Sequence, residues 1–462
     1  MAATRKTLII GLDCATPQFV LDEWGDSLPT TRHLMSNGLY GRLKSTIPPI
    51  TCPAWMCMAT SKDPGQLGLY GFRNRKDYSY TGLTIANSTA VREPTLWDVL
   101  GRQGLKSALI GIPMTYPPRP LNGWMVTSFL TPSMDSQFTY PGTLKGELLR
   151  VAPDYQIDVR DFRTEDKDWL LEQIYDMTEQ RFRFVTHMLQ TKDWDFLEFI
   201  EMGIDRLYHG FWRYAAKDHR LYEPGNKYEN ALWEYHRYVD EEMGKLLEIV
   251  PDDTLILVAS DHGAKTMVGG ICINDWFVEQ GYLKLKSTPS APARLEMDNI
   301  DWQHTTAWGE GGYYGRVMLN VQGREPEGIV PPGDYEKVRT EIAEALEALG
   351  DDRGQPIGTR AFRPEDVYRT VNNIPPDLIV YFGDLDWRSA GTVGNQSTHI
   401  FENDTGPDDA NHAQEGMFIL YDPTSADRGE VQGAELYDVP PTVLERMGLP
   451  VPEDMIGKPI TG

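Results

Sequence analysis

The chain has 462 residues, more than one average domain but within reach of a single large α/β domain carrying insertions. Its 44 Lys plus Arg against 68 Asp plus Glu give a net charge of -24, which speaks against a nucleic acid polymer or an anionic membrane as partner. Hydrophobic content of 40% is ordinary for a globular protein, and no apolar run reaches the length of a membrane span.

The first predicted element is a strand over 7–12, TLIIGL, with Asp13 at its carboxyl end. The segment PPITCPAW follows. Pro53 suits the first turn of a helix, so free backbone N–H groups are expected to point toward Thr51. Thr51 is then either a group facing a bound phosphoryl or a helix cap. A strand is predicted over 108–112 and a long helix over 168–190. A strand over 196–200 leads into DRLYHG, where Asp205 and His209 are four residues apart and share one helical face. After a helix over 228–250 comes a strand over 254–259, ending in Asp261-His262-Gly263. Gly263 is expected to supply the backbone freedom that turns both side chains inward.

The stretch 269–370 is less regular, with turn-rich runs such as GREPEGIVPPGD, and reads as an inserted cap between core segments 1–268 and 371–462. Within it a helix is predicted over 334–349 with Asp334 as N-cap. His412 stands just before a predicted strand over 417–421, which ties it to the core sheet. His33, His187, His219 and His236 fall in helical or polar contexts and read as structural or solvated.

Strands alternating with amphipathic helices indicate an α/β fold with a mainly parallel sheet, in which ligands gather beyond the carboxyl ends of the strands. Asp13, Asp205, His209, Asp261, His262 and His412 are donors enough for two divalent metals, and Thr51 is a hydroxyl those metals could activate. Mixed Asp/His donors suit zinc, with manganese the alternative. Other phosphate-binding patterns fail: GRQGLKS lacks P-loop spacing, no GxGxxG follows a strand, and Cys52 is not in a sulfatase frame. Arg73, Arg75 and Lys265 lie near these motifs and read as solvated. Cysteines 14, 52, 57 and 272 show no CxxC spacing, and the N-terminus lacks a secretory pattern; both lead to an expectation of a reducing cytoplasm.

Taken in order, LIIGLD, STIPPITCPAW, DRLYHGFW, SDHGA, PPDLIV and DDANHAQEGMFIL resemble the alkaline phosphatase superfamily, and within it the type I phosphodiesterase/nucleotide pyrophosphatases and the predicted phosphohydrolase/phosphomutase group. The resemblance implies an alkaline-phosphatase-like core with a central mainly parallel sheet flanked by helices. It also implies one metal on Asp205, His209 and His412 and another on Asp13, Asp261 and His262, with Thr51 contacting the latter as nucleophile. The implied activity is hydrolysis of a small phosphate ester through a phosphothreonine. Phosphomutase or phosphotransferase chemistry through the same intermediate, and a metal-stabilised binding protein without turnover, are the alternatives.

Overall fold

The computed structural model describes residues 5–462. Ten strands form the central sheet. Its middle is parallel: β1 (Thr7–Leu12) lies between β5 (Phe196–Glu201) and β6 (Leu255–Ala259), and β5 continues through β3 (Ser107–Ile112) to β4 (Gly123–Thr127). One flank reverses direction, with β9 (Glu415–Tyr421) antiparallel to β6 and to β2 (Leu39–Lys44). Every residue of β1, β3, β5 and β6 is buried, as expected for parallel strands covered by helices on both faces.

Four helices frame the carboxyl edge of this sheet: α1 (Thr51–Thr60), α2 (Lys167–Thr191), α3 (Gly203–Ala215) and α4 (Ala231–Leu247). Glu201, the last residue of β5, ties three of them together. Its Oε1 accepts from the Gly203 backbone N–H (2.6 Å) at the start of α3, from Thr178 Oγ1 (2.9 Å) on α2, and from Tyr235 Oη (3.0 Å) on α4. The strand-to-helix turn is thereby pinned where α3 must present its first side chains.

A second apolar cluster, separate from that around the main sheet, gathers Ile271, Phe277, Trp308, Leu319, Leu346 and Val380. It lies against a four-stranded sheet made from Ala307–Glu310, Gly315–Leu319, Arg360–Phe362 and Leu378–Tyr381. The helix expected over 334–349 is present as Tyr335–Glu347, but Asp334 makes no capping hydrogen bond. A turn of 3-10 helix, Pro332–Asp334, leads into it instead. All four cysteines are free and buried, and among the described residues no helix is long and apolar enough to cross a membrane.

Candidate active site

Asp13 and Asp261 leave the carboxyl ends of adjacent strands β1 and β6, so the parallel pairing alone sets them side by side. Cys14, next to Asp13, adopts a left-handed φ of 67°, and its backbone N–H lies 3.3 Å from Asp261 Oδ1. That turn holds the chain back over the sheet edge.

His262 opens toward the same point, but not by glycine freedom. Gly263 lies in strand β7 (Gly263–Thr266), and its φ is not among the positive ones. The need for glycine is steric: a Cβ there would meet the Glu415 carbonyl oxygen at 2.2 Å. Close packing of β7 onto β9 is what directs His262 inward. Strand β7 also pairs antiparallel with β8 (Ala410–Ala413), which sets Ala264 opposite His412 and so carries that residue in from the far end of the chain.

Asp205 and His209 sit on α3, with His209 Nε2 3.3 Å from Asp205 Oδ1. Thr51 is the first residue of α1. The N-cap position belongs to Ile50, in extended conformation, so the capping reading of Thr51 does not hold. Its Oγ1 lies 3.3 Å from His262 Nε2, and as a first-turn residue it has no intrahelical acceptor for its own N–H.

The three histidines share one arrangement. His209 Nδ1 lies 2.8 Å from Asp408 Oδ1, His412 Nδ1 2.8 Å from the Pro49 carbonyl, and His262 Nδ1 3.1 Å from the Gly263 carbonyl. A carbonyl or carboxylate can only accept, so each Nδ1 carries a proton, and in the neutral ring the lone pair is left on Nε2, facing the interior. For His209 a cation would have to displace the Nε2 proton that Asp205 and Asp408 favour. Such outer anchoring is how metal-ligating histidines are normally held. Two sets have donor atoms within 4.8 Å of one another: Asp205, His209 and His412; and Asp13, Asp261 and His262. A third such set, Cys14 with Asp205 and His262, bridges them.

Burial makes the carboxylates costly. Burial, reinforced by the charge of Asp205, pushes Asp13 well above the usual carboxylate range, although a hydrogen bond from Trp55 Nε1 (2.7 Å) opposes the shift. Burial and the charge of Asp13 raise Asp261 in the same way. Burial brings His262 down to about 4, and His412 is also held well below its ordinary value by burial and the neighbouring His262 and His209. For His209 burial works against the charged form, but Asp408 and Asp205 outweigh it and lift it to about 9. Asp205 goes the other way: burial would raise it, yet His209 and Arg206 hold it far below the carboxylate range.

Asp13 Oδ1, Asp261 Oδ2 and His412 Nε2 are buried without any hydrogen-bond partner. Orphaned acceptors crowded with like charges are costly unless cations complete them, so the residues present fit divalent metal.

A cavity of about 450 Å³ opens beside Thr51, Asp205, His209 and His412. Sequence patterns did not reveal several of its neighbours. Asp408 orients His209; Arg206 forks onto Asp158 (2.8 Å twice) and reaches Asp205; Tyr313 stacks on His412 with ring centres 3.9 Å apart. The DDANH run places Asp408 four residues before His412, the one local hint in the chain. Arg75, expected to be solvated, is instead half-buried in an ion pair with Glu325 (3.0 Å), and Lys265 pairs with Asp386 (2.6 Å). Arg73 remains exposed but lines the cavity. His236 and His219 are structural: His236 Nε2 lies 2.7 Å from Tyr208 Oη, and His219 Nδ1 accepts from the Leu221 N–H.

Comparison with solved structures shows the same fold at low identity. Phosphonoacetate hydrolase from Sinorhizobium meliloti 1021, in complex with phosphonoformate, superposes with a TM-score of 0.62 at 15% identity, covering 96% of each chain. Murine ectonucleotide pyrophosphatase/phosphodiesterase 5, an inactive form in complex with AMP, gives 0.57 at 12% identity over 97% of each chain. The human counterpart gives 0.56 at 13% identity and the same coverage. No curated protein matches the sequence. The profile described as "Type I phosphodiesterase / nucleotide pyrophosphatase" matches residues 7–408, a span that takes in every residue of the site except His412. On that match the chain belongs to the type I phosphodiesterase/nucleotide pyrophosphatase family and is a phosphoric ester hydrolase.

Proposed function

We propose that the protein hydrolyses a small phosphate ester or phosphonate, with Thr51 as nucleophile and two divalent metals held by Asp205, His209 and His412 on one side and Asp13, Asp261 and His262 on the other. The observation that carries this reading is the Thr51 hydroxyl 3.3 Å from His262 Nε2, with three histidines and three carboxylates gathered in two donor clusters and Thr51, Asp205, His209 and His412 lining a cavity of about 450 Å³. When bound, the metals would supply the positive charge that ionises the attacking hydroxyl and steadies the leaving oxygen.

The chain's own groups do the rest. The free N–H groups in the first turn of α1 face a phosphoryl oxygen as the threonine oxygen approaches phosphorus. Attack forms the Thr51 Oγ–P bond and breaks the bond from phosphorus to the leaving group, giving a phosphothreonine. An ester loses its alcohol, which takes up a proton on oxygen, and a phosphonate loses its organic group, which takes up a proton on carbon. A water then displaces Thr51 in a second in-line step, and two inversions leave configuration at phosphorus retained. Residues 311–314, within the proposed cap at 269–370, line the cavity. The ligands named for the structural neighbours, AMP and phosphonoformate, are small phosphorus oxyanions of the class this cavity would take.

The test compares p-nitrophenyl phenyl phosphate and p-nitrophenyl phosphate with zinc- or manganese-loaded protein, for wild type and Thr51→Ala. Turnover in the wild type and its loss by several orders of magnitude in Thr51→Ala are expected. Full activity in Thr51→Ala, or a single inversion with a chiral ester, would exclude the covalent step.

A further inference from the structure

The wall of the cavity beside Thr51 is unusually basic for a chain of net charge -24: Arg73, Arg163, Arg206, Arg316 and Arg388 all line it. Two of these guanidiniums are fully engaged. Arg206 is committed to Asp158 and Asp205, and Arg316 to Glu310 and the Arg73 carbonyl. Arg163 is partly engaged, through Nε to Asp408 (3.0 Å) and Nη2 to Tyr313 Oη (2.6 Å).

Arg388 is different. It is only 3% exposed, yet its Nε and Nη1 are buried without a hydrogen-bond partner. The nearest carboxylates, Asp404 and Asp408, stand 3.9 and 3.7 Å away, beyond hydrogen-bond range. The guanidinium lies 5.3 Å over the ring of Tyr313, the same ring that stacks on His412. A buried cation with unmade hydrogen bonds costs free energy unless a ligand completes it.

We propose that this cavity takes a substrate with two anionic groups: the phosphoryl group that meets Thr51, and a second oxyanion, carboxylate or phosphonate, bound by Arg388 with Arg163 beside it. The placement of the first group rests on the function proposed above. A planar guanidinium matches an oxyanion with two donors, and its low-dielectric setting strengthens the contact. An overall acidic surface would repel a substrate with two anionic groups, so a local cluster of arginines is what such a substrate requires.

The experiment is calorimetric, using zinc-loaded protein and three unreactive probes: phenylphosphonate, 4-carboxyphenylphosphonate and 1,4-phenylenediphosphonate. The wild type should bind at least one of the two probes with a second anionic group about tenfold or more tighter than phenylphosphonate, the order expected of a charge-assisted hydrogen bond. Which of the two is favoured identifies the second group as carboxylate or phosphonate. In Arg388→Gln the ratio should fall toward one, and in Arg388→Lys it should be partly kept. Equal affinities in the wild type, no binding of any probe, or an unchanged ratio in Arg388→Gln would each overturn the proposal. Turnover of p-nitrophenyl phenyl phosphate, measured alongside, reports separately on hydrolysis. A binding preference without turnover leaves the subsite standing and the hydrolase reading fallen, and turnover without a preference does the reverse.

Discussion

At the scale of single residues, the histidines carry information that their positions in the sequence do not. His209 is defined as much by Asp408 as by its own place on α3, because the 2.8 Å contact at Nδ1 fixes both ring orientation and tautomer. Burial would raise the Asp408 carboxyl, yet His209 and Arg163 hold it far below the carboxylate range, so it stays charged. Asp408→Asn keeps the shape and removes the charge that makes Nε2 a strong donor. Metal affinity, read by competition with a chelator, should weaken about 10- to 100-fold, the usual scale for losing such an outer partner. Unchanged affinity would mean that Asp408 serves only Arg163. Of the seven residues proposed for the site, all were legible as residue types in strand-end or helix-face positions. Asp408, Arg206, Tyr313 and Arg388 were not, since each reaches the cavity from a place whose local pattern says nothing about where its tip lands.

At the scale of elements, the strands were the legible part. The fully buried runs at Thr7–Leu12, Phe196–Glu201 and Leu255–Ala259 are apolar because both faces are covered, and that continuity shows in sequence. Helix ends were less legible: α4 begins at Ala231 rather than 228, and α1 starts with Thr51 inside it, because backbone conformation and not residue type sets the boundary. One strand also carries a charge-bearing group against its propensity. Glu198, in the middle of β5, is 4% exposed, and burial pushes its carboxyl up to about 8. The unfolded chain would release that proton near 4.5, the folded chain only near 8, so its stability contribution is complete below about 4.5 and is lost as pH rises through about 8. Glu198→Gln cannot ionise. The stability difference between Glu198→Gln and wild type, from urea unfolding at pH 5 and pH 8.5, should therefore grow with pH in favour of the variant. The growth should be on the order of a few kcal/mol. A difference that does not change with pH would show that Glu198 finds a charge partner or water on ionising.

At the scale of the whole molecule, the sheet gathers one site from Asp13 near the beginning, Asp205 and Asp261 in the middle, and His412 near the end. Three buried carboxylates meet there, and without a cation burial and their mutual proximity push Asp13 and Asp261 toward the protonated form, at a cost to the fold. The fold alone and the fold with its ions should thus respond in opposite directions to loss of one charge. Asp13→Asn preserves an acceptor for the Trp55 indole N–H while removing a charge that burial and Asp205 both disfavour. In the metal-free protein this substitution should raise stability, on the order of 1 kcal/mol, since an asparagine is buried without the cost of holding a carboxyl protonated against its normal ionisation. Added zinc should raise the melting temperature of the wild type by mass action on the folded state, and should do so far less in the variant. Thermal unfolding of both proteins, with chelator and with excess zinc, yields the four values needed. If Asp13→Asn instead destabilises the metal-free form and keeps the full zinc response, Asp13 is a packing residue and the cation sits elsewhere. The crossing of the two effects is what separates a site built for charge from one that merely contains it, because a packing defect lowers stability in both states alike.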